Sequence, residues 1–392
     1  MFSTCPRRGA CPNEGGQIGN LRHQAGRVSL YLMAGGGTGG HVIPAIAVAR
    51  EIVRAGHEVL FVGTERGVEA RLVPAAGFRL EKIRVGGLKN LGAATRLVSV
   101  WRLVAETLGQ VRRFREWSPS AVFSMGGYVA GPPVLAALMR GVPVVVMEPN
   151  AVPGVTNRWI ARWVKRALIS FEETGRFFPK GRTELTGLPV REEFFRIMPK
   201  TWNGEFTVLI TGGSQGSRTL NNAARQSWPL FRESGLPVRI VHQTGLPMHG
   251  AIASEFAQTG LPGDVQAFIA DMPAAFSEAD LIICRSGAGA VSELAAAGKP
   301  SVLVPFPFAA DDHQLKNAQA FERAGAAMLS LDAQWTGQKL FDVVSVLYRD
   351  RARLQAMGEN ARKLVHRGAA RRAAEILFEE SIDRAAASRN NT

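Results

Sequence analysis

The 392-residue sequence predicts an α/β protein made of two similar domains, each with a parallel sheet, facing one another across a cleft. Three observations predict it. Two glycine-rich turns lie far apart, each after a strand and before a helix: Gly35-Gly36-Gly37-Thr38-Gly39-Gly40-His41, and Thr211-Gly212-Gly213-Ser214-Gln215-Gly216-Ser217. Continuous Val/Leu/Ile runs alternate with helical segments, the pattern of parallel strands buried on both faces. The length suits two ordinary domains with full cores.

The first domain opens with a strand at about 28–34. A helix follows from Ile43 to Ala55, with Pro44 in its first turn, where a missing N–H does no harm. Strands at His57–Val62, Ala121–Ser124 and Pro143–Met147 and a helix over Pro133–Arg140 continue the alternation. The pattern restarts at Phe206–Ile210, with strands near Arg239–His242, Val265–Phe268, Leu281–Cys284 and Ser301–Val304. Helices include Ala290–Ala297 and His313–Ala324, and Leu354–Ala387 reads as helical and strongly charged. The domain boundary is expected near Gly187-Leu188-Pro189-Val190-Arg191, giving units of 27–191 and 192–366. Residues 1–26, rich in Gly, Arg and Pro without an apolar stretch, read as a disordered extension rather than a signal peptide.

Composition narrows the function. The 47 Lys and Arg against 33 Asp and Glu leave a charge of +14, which favours an anionic partner: nucleic acid, an acidic membrane surface or a phosphorylated substrate. Interleaved aromatic and basic recognition motifs are lacking, which counts against nucleic acid. No segment has the length and apolarity of a membrane span. Three scattered cysteines, Cys5, Cys11 and Cys284, make neither a disulfide framework nor a zinc site and suit a reducing cytoplasm.

The glycine turns carry the chemistry. Each is expected to present bare backbone N–H groups at the positive end of a helix, where a phosphate binds well. Neither is the dinucleotide fingerprint, and no Gly-Lys-Ser/Thr follows to make a P-loop. His41, at a helix start, has the lowered pKa that suits a general base; the plainer reading is a cap or packing residue. Cys284-Arg285-Ser286-Gly287-Ala288-Gly289-Ala290-Val291-Ser292-Glu293 leaves a buried strand through small residues, so a phosphate can approach the next helix closely. Glu293 either accepts both ribose hydroxyls or simply compensates the helix dipole. Asp311-Asp312-His313-Gln314 reads as a helix cap or a sugar-hydroxyl contact, without a second cluster at metal spacing. The segment Lys82–Trp117 carries eight cations and two anions. Leu97, Val100, Trp101, Val104, Leu108 and Val111 recur in it at helical spacing, mostly a core face. With the preceding loop Gly86–Leu91 it makes either a surface for an anionic leaflet or a solvated basic face.

In order along the chain, Gly36-Gly37-Thr38-Gly39-Gly40-His41-Val42-Ile43-Pro44, Met125-Gly126-Gly127-Tyr128-Val129, Gly212-Gly213-Ser214-Gln215-Gly216, and Arg285-Ser286-Gly287 with Ser292-Glu293-Leu294 resemble the MurG family of peptidoglycan N-acetylglucosaminyltransferases. The resemblance spans about residues 27–385. It implies a GT-B architecture of two Rossmann-like domains, acceptor side first, with helix 367–385 crossing back to the first domain. It implies transfer of GlcNAc from UDP-GlcNAc to the 4-hydroxyl of the muramyl sugar of lipid I, with inversion and without a metal or other cofactor. It further implies peripheral attachment to the cytoplasmic face of the membrane and the company of other cell-wall synthesis proteins. Carried over by position, Thr38, Gly39 and Gly40 belong to the phosphate region, and Asn150 and Arg191 contact the donor. Ser214 faces the diphosphate, the Ile269 backbone meets uracil, Ala288, Gly289, Ala290, Val291 and Ser292 form the phosphate-binding helix start, Glu293 holds ribose, and Gln314 reads the GlcNAc hydroxyls. The chain departs from the family at Met147-Glu148-Pro149-Asn150, at Leu188-Pro189-Val190-Arg191, and in a longer Pro307–Ala310 stretch. A UDP-GlcNAc 2-epimerase of the same fold and a non-catalytic nucleotide-sugar-binding scaffold are the alternatives.

Overall fold

The computed structural model describes residues 28–86, 93–201 and 204–390. The expected extension at 1–26 and most of the basic loop at Gly86–Leu91 lie outside them. The first domain runs β1 (Leu30–Gly35), α1 (Gly39–Arg54), β2 (Glu58–Thr64), α2 (Glu69–Ala75), β3 (Arg79–Ile83), α3 (Ala93–Trp117) and β4 (Ala121–Gly126). It continues through α4 (Gly131–Met139), β5 (Val144–Glu148), α5 (Val155–Ile160), β6 (Arg166–Ile169) and β7 (Thr183–Leu185), and a short α6 (Glu192–Phe195) leads out. The second runs β8 (Phe206–Thr211), α7 (Arg218–Ser234), β9 (Val238–Gln243), α8 (Leu246–Ala257), β10 (Gly263–Gln266), α9 (Met272–Glu278) and β11 (Leu281–Cys284). After it come α10 (Ala288–Ala297), β12 (Ser301–Leu303), α11 (His313–Arg323), β13 (Ala327–Leu329), α12 (Gly337–Arg349), α13 (Arg351–Lys363) and α14 (Ala369–Asn390).

Among the described residues the strands form two sheets, ordered β3-β2-β1-β4-β5-β6-β7 and β10-β9-β8-β11-β12-β13. Every pairing is parallel. The order reverses beside β1 in one sheet and beside β8 in the other, so each glycine turn leaves its sheet at the switch point, where a crevice opens. Each sheet buries apolar side chains on both faces, which is why its central strands are nearly unbroken Val/Leu/Ile/Phe.

Two expectations change, and the C-terminal stretch gains a break. Helix α1 begins at Gly39, so Pro44 is its sixth residue and lies past the first turn. The glycines enter the helix because its first amides need no intrahelical partner. On α3, among the described side chains, Thr107, Gln110 and Phe114 are buried and Val111 packs against the core, while Val104 and Leu108 are 45% and 52% exposed; the expected core positions Leu97, Val100 and Trp101 lie outside the described side chains. Between Val104 and Phe114 the buried stripe is thus displaced toward Thr107, and polar Gln110 takes a core position. The stretch Leu354–Ala387 is two helices, parted by a turn at 364–368 in which Gly368 adopts φ +75°. The break lets α14 reverse onto the first domain. Ala373, Ile376 and Leu377 join the core cluster of Tyr31, Ala45 and Val48. Arg372 bonds Glu184 at 2.6 Å and Arg166 bonds Glu380 at 3.1 Å.

Candidate active site at the domain junction

Three loop–helix junctions present backbone amides that suit an anion, and neighbouring side chains take up some of them. At the first turn, the Gly37 N–H donates to Glu69 Oε2 at 2.8 Å, so that amide is already taken. Gly39 and Gly40 remain at the start of α1, whose N-cap Thr38 makes no side-chain cap; the Thr38 carbonyl accepts from the N–H groups of His41 and Val42. At the second turn, Ser217 caps α7 by accepting from Leu220 N–H, and Arg285 donates to the same hydroxyl at 2.7 Å. Leu220 N–H is thus spent at that helix end, and Ser214 stands on the exposed crown of the turn. The third junction is open. Helix α10 starts after Gly287 with no side-chain cap, so the amides of Ala288, Gly289 and Ala290 stay available to a ligand. Each junction therefore keeps some backbone amides without a protein partner, and the start of α10 keeps its first three.

The assigned run Ala288–Glu293 divides accordingly. Val291 N–H is spent on the Gly287 carbonyl at 3.0 Å, and its side chain lies in the core. Val291 and Ser292 line a separate cavity of about 310 Å³ behind α10. Glu293 sits one turn into the helix, 3.8 Å from Arg191 at the mouth of the linker. Its side chain is 30% exposed, yet desolvation by its apolar neighbours pushes the carboxyl up to about 7 against the pull of Arg191. Arg191 also stacks its guanidinium over Phe194 at 4.9 Å.

A continuous polar chain joins the domains. Asn317, fully buried on α11, accepts from Ala151 N–H at 2.9 Å and donates to Asn150 Oδ1 and to the Ser286 carbonyl, both at 3.1 Å. Asn150 in turn donates its side chain to Glu148 Oε1 at 3.1 Å, so both ends of its amide are engaged within the protein. Glu148 gathers the Asn150 and Gly154 N–H groups and the Asn157 amide; burial raises its pKa and those bonds oppose the rise. Gln314 lies beside this chain, its carbonyl accepting from Ser286 and its Oε1 from Phe306 N–H. Asp312 holds the N-cap position of α11 without a side-chain cap bond, and Asp311 and Asp312 both take left-handed backbone, so the capping expectation fails there. Ile269 N–H donates to Gln243 Oε1 at 2.8 Å, leaving its carbonyl for a base edge. Gln243 ties that loop to Gly213 of the second turn.

On the first-domain side a cavity of about 720 Å³ opens beside His41. It is lined by Gly126, Gly127, Tyr128, Glu148, Asn150 and Trp159 among others, and by Ala310, Asp311 and His313 from the second domain. His41 Nδ1 lies 3.3 Å from the Gly36 carbonyl. A carbonyl only accepts, so the proton belongs on Nδ1 and Nε2 keeps its lone pair. Burial lowers the His41 pKa, which keeps the ring neutral near pH 7.

Sequence reasoning assigned no role to Glu69, Glu148, Asn157, Asn317, Gln243 or Arg285. Only Arg285 and Glu148 lay within motifs already singled out, and the others meet the site from distant segments. Among the described residues no three His, Cys, Asp or Glu side chains gather as a metal ion requires.

Two Rossmann-like domains, with a helix start on one and an apolar cavity with a neutral histidine on the other, form the GT-B architecture of nucleotide-sugar enzymes. Comparison with known proteins agrees. Residues 31–169 match the glycosyltransferase family 28 N-terminal domain and residues 207–375 its C-terminal domain. A protein of Solibacter usitatus (strain Ellin6076), named UDP-N-acetylglucosamine--N-acetylmuramyl-(pentapeptide) pyrophosphoryl-undecaprenol N-acetylglucosamine transferase, is 65% identical over 89% of this chain and 95% of its own length. Its namesake from Syntrophus aciditrophicus (strain SB) is 38% identical over 85% and 93%. The crystal structure of Acinetobacter baumannii MurG superposes with a TM-score of 0.76 at 33% identity, covering 90% of this chain and 99% of that one. The chain belongs to glycosyltransferase family 28 and, within it, to the MurG family.

Proposed function

We propose that this chain moves GlcNAc from UDP-GlcNAc to the 4-hydroxyl of the muramyl sugar of an undecaprenyl-diphosphate-linked MurNAc-pentapeptide, the step from lipid I to lipid II. The observation that carries this reading is the junction itself: the open start of α10 and the cavity beside His41 lie on opposite domains, tied together through Asn317. The amides of Ala288, Gly289 and Ala290 receive the diphosphate and stabilise the charge that develops on UDP as it leaves. The exposed Ser214 crown of the second turn faces the same diphosphate. Glu293 accepts the ribose hydroxyls, the Ile269 carbonyl meets uracil, and Gln314 meets the sugar. The acceptor enters the large cavity, and Nε2 of His41 takes the proton of the attacking hydroxyl. Attack from the domain opposite the donor inverts the anomeric carbon.

The test is purified protein with labelled UDP-GlcNAc and a lipid I analogue, with EDTA present. The disaccharide product is expected. Interconversion of UDP-GlcNAc without acceptor would mark an epimerase, and UDP binding without turnover a scaffold.

We also place the protein peripherally on the cytoplasmic face of the membrane. No helix among the described residues is long and apolar enough to cross a bilayer. Around the cavity, Val155 and Trp159 remain 62% and 60% exposed, and Trp163 43%. Arg158, Arg162 and Lys165 are interleaved with them, and Arg162 stacks over Trp163 at 4.0 Å. Apolar rings flanked by cations suit an anionic leaflet. Replacing Arg162 and Trp163 together by serine is expected to weaken binding to phosphatidylglycerol vesicles about tenfold or more, about 1.4 kcal/mol. UDP-GlcNAc affinity is expected to stay at the wild-type value. Sedimentation of both proteins with vesicles decides it, and equal partition would remove this surface from the membrane role.

A further inference from the structure

Glu69 is a carboxylate at zero exposure with no Lys or Arg paired to it among the described residues. An isolated buried charge is costly, so what holds it there is informative. Oε1 accepts from Thr64 N–H at 2.9 Å and from Thr64 Oγ1 at 2.7 Å, and Oε2 accepts from Gly37 N–H at 2.8 Å. Burial alone would raise its pKa; these bonds outweigh burial and hold it below the usual range, so the group is ionised at neutral pH. Three glycines make the room. A Cβ on Gly36, Gly63 or Gly67 would collide with the Glu69 side chain.

The Gly37 N–H that Glu69 holds and the Gly36 carbonyl that His41 Nδ1 binds belong to one peptide unit. In a trans peptide the two groups point in opposite directions, so fixing the N–H fixes the carbonyl. Gly37 stands at φ +86°, in a backbone whose peptide would otherwise turn over easily. We infer that Glu69 is a positioning residue for His41, acting through the Gly36–Gly37 peptide: it locks the peptide, the carbonyl locks the imidazole with its proton on Nδ1, and Nε2 is left free toward the cavity. The arrangement is a base oriented by a third group, with a peptide unit interposed between carboxylate and imidazole. The inference rests on His41 acting as the base, and its test is chosen so that the two can fail separately.

In Glu69→Gln, the side-chain oxygen can keep Thr64 but the amide nitrogen then faces the Gly37 N–H and cannot accept from it. The variant is expected to lose about 10- to 100-fold in kcat, the range for groups that orient a functional ligand from behind, with the KM for UDP-GlcNAc unchanged. Nitrogen-15 NMR of the histidine rings supplies the readout that a merely structural role would not move. His41 is expected to be the Nδ1–H tautomer in the wild type and a mixture in the variant. Glu69→Ala is expected to regain part of its kcat with added formate or acetate. An Nε2–H tautomer for His41 in the wild-type protein overturns the inference whether or not any variant folds. So does a Glu69→Gln protein with wild-type kcat, or one whose UDP-GlcNAc affinity falls along with its rate. If the tautomer is as stated while His41→Ala keeps full turnover, the base assignment fails and the positioning geometry stands.

Discussion

His41→Ala is expected to lower kcat by about 10²- to 10⁴-fold, about 3–5 kcal/mol of transition-state stabilisation, with the Kd for UDP-GlcNAc held within about twofold. The separation follows from geometry. The donor contacts proposed here, at the start of α10 and on Glu293, belong to the second domain, and His41 sits at the start of α1 in the first. Its Nδ1 is committed to the Gly36 carbonyl, so Nε2 is the only ring atom free to take a proton. The pH dependence has a definite sign. Burial and, to a lesser extent, His313 lower the pKa, while the Gly36 carbonyl and the Glu69 charge raise it; the net shift is downward. The acid limb of kcat is therefore expected below the ordinary histidine value of 6.5, with turnover falling as the ring protonates. Steady-state kinetics across pH 5–8 with isothermal titration of the donor checks both parts. Near-wild-type turnover in the alanine variant would take His41 out of the chemistry.

Glu293→Ala is expected to weaken UDP-GlcNAc binding about 10- to 100-fold, the loss of one or two hydrogen bonds to a charged acceptor at about 1.5–3 kcal/mol. Turnover at saturating donor is expected to change much less. The carboxyl titrates at about 7 in the free protein, and only its ionised form accepts both ribose hydroxyls. Donor affinity is therefore expected to rise between pH 6 and 8, and Glu293→Gln to abolish that rise. Stability runs the other way. A carboxyl whose folded pKa stands above its unfolded value contributes stability that is complete below about 4.5 and is lost as pH rises through about 7. Glu293→Gln is thus expected to raise Tm at pH 8 and to bring no such gain at pH 4.5, while binding suffers. A residue kept at a cost to stability and needed by the ligand is the usual mark of a binding site. Thermal melts at the two pH values, with and without UDP-GlcNAc, measure both effects. A variant that binds donor as the wild type does would leave Glu293 as no more than a dipole partner of α10.

The differences between sequence and structure share a cause. Apolar spacing along α3 pointed to Val104 and Leu108 as core, yet α3 packs through Thr107, Gln110 and Phe114, because the contact is set by the neighbouring helix rather than by hydrophobicity along one strip. The glycine turns were legible as strand-to-helix junctions, since only small residues allow those backbones. Which amides of each turn are already spent was not legible. Glu69 lies 32 residues from the Gly37 it occupies, and Arg285 lies 68 from the Ser217 it steadies. A turn's own residues carry no sign of a partner that arrives from elsewhere in the chain.

Hydrophobic runs, glycine punctuation and the order of four short motifs were enough by themselves to determine two parallel α/β domains, the family, and His41 and Glu293 as residues to examine, because backbone preference and burial act over a few neighbouring positions. The tertiary structure alone decided which amides face a ligand, which nitrogen of His41 carries the proton, and how Asn317 fastens one domain's loop to the other. Those outcomes depend on hydrogen bonds between residues up to 167 positions apart, which form only once the two sheets have folded and met.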